Sequence, residues 1–191
     1  MRPATADDIE TLVDLMDEFY AESGYVLDRR RAARAFAALL ADPRLGRVWL
    51  IDTDGSDRRP AAADEAEGRT AEAGMARVGA GTAGATGARE SGAGGTIAGY
   101  VVVTLAFGME HGGLMATVDD FYVRPAFRNR GIGGAALARV RELCAGLGVR
   151  AVTVEVGAEN GAALAVYGRT GFVATDRLLM TLRLAESTHV E

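Results

Sequence analysis

Apolar residues recur at helical spacing in the opening segment of the chain. They fall on one face of a helix with a 3.6-residue period: Ile9, Leu12, Val13, Leu15, Met16, Phe19 and Tyr20. Thr5 and Asp8 provide a helix-start signal, and Gly24 follows as a stop. Asp28 can cap a second helix that extends to about Leu40. The pattern predicts two helices before the first strand.

Continuous β-branched and aromatic runs replace this periodicity on either side of a long polar segment. Residues 47–51 and 96–107 predict two strands that pair as a hairpin. The segment between them, 53–95, consists mainly of Ala, Gly, Asp, Glu, Arg and Thr. Because it has too few large apolar side chains to offset the entropy of ordering, we expect a disordered insertion. Each doubling of a flexible loop costs only about 0.6 kcal/mol, so the hairpin tolerates it.

The second half of the chain alternates strands and helices. The patterns predict a strand at 115–123, a helix at 131–147, a strand at 149–156, a helix at 160–170, and closing strands at 172–174 and 178–184. A chain of 191 residues has the size of one ordinary domain. We expect one domain over 1–185, interrupted by the insertion, with a flexible tail at 186–191.

A glycine-rich turn with two arginines separates the third strand from the helix that follows it. Gly131, Gly133 and Gly134 lack the Cβ atoms that would keep a ligand from the backbone. The start of the helix presents unpaired amides and the positive end of the helix dipole, and Arg128 and Arg130 add charge. The turn is therefore predicted to bind an anionic group such as phosphate.

This turn resembles the acetyl-CoA signature of the GNAT superfamily of N-acetyltransferases, Arg/Gln-x-x-Gly-x-Gly/Ala, which here reads Arg128-Asn129-Arg130-Gly131-Ile132-Gly133. The family's downstream pattern Asn-x-x-Ala-x-x-x-Tyr-x-x-x-Gly-Phe is also matched, by Asn160, Ala163, Tyr167, Gly171 and Phe172. The resemblance implies an α/β (α+β) GNAT fold, with a mixed, mostly antiparallel sheet of six to seven strands flanked by about four helices. It also implies acetyl transfer from acetyl-CoA to a primary amine, with no metal.

The resemblance also assigns residues to the cosubstrate. Backbone groups of Phe121, Tyr122 and Val123 would bind the pantetheine arm. The turn would bind the phosphates through Arg128, Asn129, Arg130, Gly131, Ile132, Gly133 and Gly134. Asn160 would fix cofactor amides or cap the helix that follows it, and these roles are compatible.

Three side chains are candidates for catalysis. By resemblance, Tyr167 would protonate the departing thiolate. Asp119 and Asp120 are adjacent on a strand, so only one of them can reach the cleft unless a bulge intervenes. We prefer Asp120 as the base, with Asp119 or Glu155 as alternatives. Each strand acid is equally compatible with a solvated or arginine-paired role, and Tyr167 with packing in the core.

Charge and composition limit the classes of molecule that the protein is expected to bind. The formal net charge of −5 argues against a general nucleic-acid surface and favours a small cationic acceptor. Cys144 is the only cysteine, so no intrachain disulfide forms. Neither a secretory leader nor an apolar run of about 18 residues is present, which leads us to expect a cytoplasmic protein without a membrane segment. The resemblance allows a homodimer.

Two rival interpretations remain. The segment from Gly131 to Ala136 also satisfies the dinucleotide-binding pattern Gly-x-Gly-x-x-Ala. In that fold the first glycine follows its strand directly, whereas here residues 124–130 intervene. The second rival is a GNAT-fold module that binds acyl-CoA without turnover, as a sensor or scaffold. The intact cofactor motif and the presence of Tyr167 favour an enzyme.

Overall fold

The computed structural model describes residues 1–53, 95–182 and 184. This part of the chain contains four α-helices: α1 (Ile9–Glu22), α2 (Arg29–Ala41), α3 (Ile132–Gly146) and α4 (Gly161–Arg169). They flank one sheet of five strands: β1 (Arg2–Pro3), β2 (Gly46–Thr53), β3 (Thr96–Gly108), β4 (Gly113–Val123) and β5 (Ala151–Val154). The strands lie in chain order, and every pair is antiparallel except β4 with β5. This mixed, mostly antiparallel sheet confirms the predicted fold class.

Local capping sets where the first two helices begin. The Asp8 carboxylate accepts a hydrogen bond from the backbone N–H of Thr5 (2.8 Å) and is held by Arg2 at 2.7 Å. The carboxylate of Asp28 accepts from the backbone N–H of Arg31 at 3.0 Å. Each acid satisfies an amide that would otherwise be unpaired near a helix start. The two predicted helix starts are therefore confirmed.

The core forms two layers, one on each face of the sheet. Alternate residues of β3 belong to opposite layers, so Tyr100 and Val102 pack under α1 and α2, whereas Val101 and Val103 pack under α3. All four are buried, since β3 is the central strand and is covered on both faces. The long β-branched run that predicted a strand is thus explained by burial on both faces.

The predicted hairpin between the second and third strands is confirmed. Strands β2 and β3 pair from Gly46 opposite Thr104 to Thr53 opposite Thr96. The predicted insertion, 53–95, lies outside the described residues except at its ends, where Thr53 closes β2 and Gly95 precedes β3. The predicted tail, 186–191, also lies outside them.

The prediction of six to seven strands is wrong for the described part of the chain, which has five. No described residue of the predicted closing strands, 172–174 and 178–184, is paired in a ladder. Arg177 is bound to Glu110 at 2.6 Å, while Leu178 and Met180 are 90% and 89% exposed. Strand composition alone does not make a strand without a ladder partner. Conversely, β1 was missed, because two residues carry no periodic signal.

Candidate active site

A gap opens between β4 and β5 at the level of the two strand acids. The strands pair in parallel from Met115 opposite Ala151 to Val118 opposite Val154, where β5 ends. Strand β4 continues to Val123 and has no described partner on that side. The backbone stretch that the resemblance assigns to pantetheine therefore lies beside this break in the ladder, which is the gap referred to below.

A β-bulge lies at the start of this unpaired stretch. On the β3 side, Val102 is opposite Asp120 and Val103 is opposite Val118, so Asp119 is the extra residue. The alternation of faces shifts there: Val118 and Phe121 both belong to the layer under α3. Asp119 is exposed, whereas Asp120 is largely buried, with its carboxylate beside Tyr100 under α1 and α2. The bulge thus places the two adjacent acids in different environments.

The buried carboxylate of Asp120 has one hydrogen-bond donor among the described residues. The hydroxyl of Tyr100 donates to its Oδ2 at 3.0 Å, and Tyr100 is fully buried. Burial raises the pKa of Asp120 to about 6, against the lowering effect of the Tyr100 hydrogen bond and with a further rise from the charge of Asp119. Burial, and then the charge of Asp120, raise the pKa of Tyr100 far above its ordinary value. Tyr100 therefore remains a donor at any working pH.

Helix α1 presents both a tyrosine and ion-paired acids to this region. Burial, followed by the charges of Asp120 and Asp119, raises the pKa of Tyr20. Four acids of α1 are bound to arginines: Asp14 and Asp17 to Arg29, Glu18 to Arg124, and Glu22 to Arg128. Within the described ranges, Asp119 and Asp120 have no arginine partner. Their charge is available to a cationic ligand.

The glycine-rich turn has the backbone geometry of an anion site. After a 3₁₀ turn at Pro125–Phe127, Asn129 and Gly131 adopt positive φ angles of 59° and 80°, and α3 begins at the next residue. A Cβ added at Gly131 or Gly134 would meet nothing within 4 Å. The first turn of α3 is thus open to a ligand, with its N-terminal amides directed outward.

The two arginines of the turn make different contacts. Arg130 Nη1 is buried and has no hydrogen-bond partner in the described part of the chain. Arg128 is engaged: its Nε donates to the carbonyl of Val123 at 2.7 Å, its Nη2 to Glu22 at 2.6 Å, and its guanidinium lies 5.5 Å from the centre of the Tyr122 ring. An orphaned cationic donor beside an open helix start fits a phosphate group. Of the two arginines, Arg130 is therefore the one that has a donor available for an anion.

Helix α4 lies on the opposite face of β4 from Asp120. Asn160 caps it, since its Oδ1 accepts from the backbone N–H of Ala163 at 3.0 Å. Tyr167 packs its ring 6.3 Å from that of Phe121 and 5.4 Å from that of Phe172. Tyr167 is 8% exposed, and burial raises its pKa to about 12. Asp120 and Tyr167 are thus on the two faces of the unpaired part of β4.

Other kinds of site find no support in the described residues. No three His, Cys, Asp or Glu side chains among them come together in a way that could hold a metal ion. None of their helices combines the length and the apolar character needed to cross a membrane. Among the strands that the structure describes only β4 and β5 are parallel, which excludes the doubly wound parallel sheet of the dinucleotide-binding alternative.

Comparison with known proteins identifies the family. The acetyltransferase (GNAT) family matches residues 13–172, which span both core layers, the turn and α4. The chain therefore belongs to the GNAT family of acetyltransferases and is an acyltransferase. No curated protein matches the chain in sequence.

Solved structures agree with this assignment. An integron cassette protein from the mobile metagenome of Cole Harbour Salt Marsh is 39% identical, with a TM-score of 0.67 over 97% of this chain and 90% of that one. A predicted acetyltransferase with acetyl-CoA from Clostridium acetobutylicum is 16% identical, with a TM-score of 0.62 over 95% and 94%. The ribosomal-protein-alanine N-acetyltransferase of Brucella melitensis biovar Abortus 2308 is 15% identical, with a TM-score of 0.57 over 95% and 96%. At these identities the last two show the fold alone.

Sequence reasoning missed several residues that the fold brings to this site. Tyr100 lies within an apolar run, and its hydroxyl is the only sequence feature that indicates a buried polar partner. The partner depends on the cross-strand register, which the bulge at Asp119 alters and no local pattern reveals. Glu18 and Glu22, which bind Arg124 and Arg128, were not singled out by the sequence.

Proposed function

We propose that the protein transfers acetyl from acetyl-CoA to a primary amine of a small cationic acceptor, by direct attack in a ternary complex. The observation that carries this proposal is the buried Asp120 carboxylate beside the gap between β4 and β5, with Tyr167 on the other face of β4. Family membership supplies the cosubstrate. The acceptor and the roles of the side chains are inferred from this chain's own residues.

The residues around the turn fit acetyl-CoA. The buried Nη1 of Arg130, which has no hydrogen-bond partner among the described residues, and the open first turn of α3 would bind phosphate oxygens. The stretch of β4 with no described partner on the β5 side, which includes Phe121, Tyr122 and Val123, would pair along that edge with the amides of the pantetheine arm. When bound, acetyl-CoA supplies an acetyl thioester. Arg128 already donates to the Val123 carbonyl, so it would stabilise the backbone of the same region.

Asp120 is suited to remove a proton from the acceptor. An aliphatic amine with a pKa of about 10.4 is neutral in only about one molecule in 10³ at pH 7. Because the pKa of Asp120 is raised to about 6, the carboxylate is mostly ionised at neutral pH yet is a stronger base than an ordinary Asp. Asp120 takes a proton from the ammonium form and passes it to solvent, which leaves the nitrogen with a lone pair. The lone pair then forms the new bond to the thioester carbon, the bond from carbon to sulfur breaks, and the nitrogen gives up a second proton.

Tyr167 is suited to stabilise the leaving sulfur. Burial raises its pKa to about 12, whereas a thiol has an ordinary pKa of about 8.5. Complete transfer of the tyrosine proton would therefore be uphill by roughly 5 kcal/mol. A hydrogen bond from the hydroxyl to the sulfur avoids this cost and favours the charge that develops there. The proton taken from the nitrogen finally restores the thiol.

The charge of the site favours a cationic acceptor. Asp119 and Asp120 lack arginine partners in the described part of the chain, whereas the nearby acids on α1 are paired. An ammonium group would supply the missing countercharge. Asp119, which is exposed at the bulge, can bind the approaching cation before Asp120 takes its proton.

A single pair of assays tests the proposal. Release of free thiol from acetyl-CoA is followed across polyamines, amino acids, aminoglycosides and a short peptide with a free N-terminus, and acetyl-CoA binding is followed by thermal shift. We expect binding together with turnover of at least one small cationic amine. Binding without turnover of any amine would instead identify an acyl-CoA-binding module. Absence of binding would overturn the assignment of the turn.

A further inference from the structure

We propose that Tyr100 is a positioning residue for the proposed general base: its hydroxyl holds Oδ2 of Asp120, so that Oδ1 is directed to the acceptor and receives the proton. This inference rests on the function proposed above. It adds a tyrosine from β3 that lies outside both family motifs. The inference concerns the orientation and basicity of the carboxylate, because Tyr100 is fully buried and touches no substrate.

The position of Tyr100 is rigidly determined. It lies on the central strand, opposite Tyr122. Val102, two residues further along the same strand, is opposite Asp120. Its ring meets those of Phe36 on α2 (6.2 Å) and Tyr122 (6.4 Å). A hydroxyl fixed from both sides in this way can restrain a carboxylate on the neighbouring strand.

The carboxylate is held on one side only. Oδ2 accepts from Tyr100 at 3.0 Å, and no other described residue donates to Asp120. Oδ1 accepts from none of the described residues. Asp120 belongs to the stretch of β4 that lies beyond its pairing with β5, which is where an acceptor nitrogen has to approach in the proposed reaction.

The surrounding charges are consistent with this division of roles. Asp119 on β4 and Tyr20 on α1 are the other titratable groups coupled to Asp120. Glu18 and Glu22 on α1 are already bound to arginines, and α2 contributes the apolar ring of Phe36. Tyr100 keeps its proton because its pKa is strongly raised. The amine proton thus moves to Oδ1, the nitrogen retains its electron pair, and Tyr100 does not change its charge.

The variant Tyr100→Phe removes the donor and keeps the ring. Loss of a hydrogen bond to the ionised carboxylate should raise the pKa of Asp120 from about 6 by about one further unit, because such bonds favour the charged form. The pKa is measured by titrating 13Cγ-labelled aspartate by NMR, with the resonance assigned through Asp120→Asn. With an accepted amine, the acid limb of kcat/KM should move to higher pH by the same amount.

Phe36→Leu is the matched control, since it loosens the packing of Tyr100 without removing the hydroxyl. It should lower stability, and it should move the pKa of Asp120 and the acid limb less than Tyr100→Phe does, because the hydroxyl is retained. An unchanged Asp120 pKa in folded Tyr100→Phe would overturn the inference, as would a raised pKa with an unmoved acid limb. Because the titration needs no turnover, failure of the proposed function shows itself separately, as absence of acetyl transfer by the wild-type protein.

A measurement on the wild type covers the case in which Tyr100→Phe does not fold. The 13Cζ resonance of Tyr100 should shift with a midpoint at the pKa of Asp120, about 6, because the hydroxyl donates to that carboxylate. The corresponding resonance of Tyr25, which is 69% exposed, provides the reference. A Tyr100 resonance without that midpoint would overturn the inference.

Discussion

Asp120→Asn should make the protein more stable above neutral pH while lowering its activity. The folded protein holds the Asp120 proton more tightly than the unfolded chain does, because burial raises the pKa from 3.8 to about 6. The stabilisation from this proton is complete below about pH 4 and is lost as the pH rises through about 6. Asparagine resembles the protonated acid and can still accept from Tyr100, so it avoids that loss.

The magnitude follows from the difference of about 2.2 pKa units between the two states. At 1.36 kcal/mol per unit, the ionised carboxylate costs about 3 kcal/mol at pH 8, as an order of magnitude. The free energy of unfolding is measured by urea titration at pH 4 and pH 8 for the wild type and Asp120→Asn. The variant should match the wild type at pH 4 and exceed it by about 3 kcal/mol at pH 8.

Asp119→Asn is the control, because it removes the same charge from the exposed neighbour at the bulge. Its stability should differ from that of the wild type by no more than about 1 kcal/mol at either pH. The reasoning would be refuted if the difference between Asp120→Asn and the wild type were the same at both pH values.

Three further outcomes are expected. Arg130→Ala should lose most of the stabilisation by acetyl-CoA, which is about 2.7 kcal/mol at 100 times Kd. Arg128→Ala should retain more of that stabilisation, because Arg128 is bound to Glu22 and Val123. A thermal-shift titration in which the two variants showed the opposite order would contradict the assignment. Tyr167→Phe should lower kcat roughly 10- to 100-fold with little change in acetyl-CoA affinity, and an unchanged kcat would remove the tyrosine from the reaction. Replacing residues 54–95 by an Asn-Gly turn should keep the unfolding free energy within about 1 kcal/mol, since Thr53 and Thr96 are already cross-strand partners; loss of folded protein in a urea titration would show that the segment contributes to the fold.

Local signals predicted the elements whose ends are set locally. Asp28 was expected to cap a helix and does so, and the β-branched run before Phe107 forms the central strand. The glycine-rich turn could be predicted because the spacing of its glycines and arginines indicates the local backbone conformation, which does not depend on the rest of the fold. The prediction of closing strands at 172–174 and 178–184 was wrong because a strand requires a ladder partner, and composition does not show whether such a partner is present.

The acid site was only partly predictable, for a related reason. The sequence raised the question of which strand acid reaches the cleft and identified a bulge as the condition that matters. It could not place that bulge, because a bulge is a property of two strands together. The contacts of Tyr100 with Asp120 and of Glu22 with Arg128 join residues 20 and 106 positions apart, and no periodic pattern reports such pairs.

Two ion pairs tie α1 to the glycine-rich turn. Glu18 and Glu22 lie one helical turn apart and bind Arg124 and Arg128, which bracket the 3₁₀ turn before Gly131. A ligand that moved α1 relative to this turn would be expected to change the affinity of the turn for an anion, and the anion would then change the affinity for that ligand by the same factor. The pair of Glu22 and Arg128 is the more exposed of the two, since Arg128 is 41% exposed and Arg124 is 14% exposed. Salt therefore screens this pair first. Ionic strength is therefore expected to tune the cooperativity of the two substrates, beyond its effect on either affinity alone.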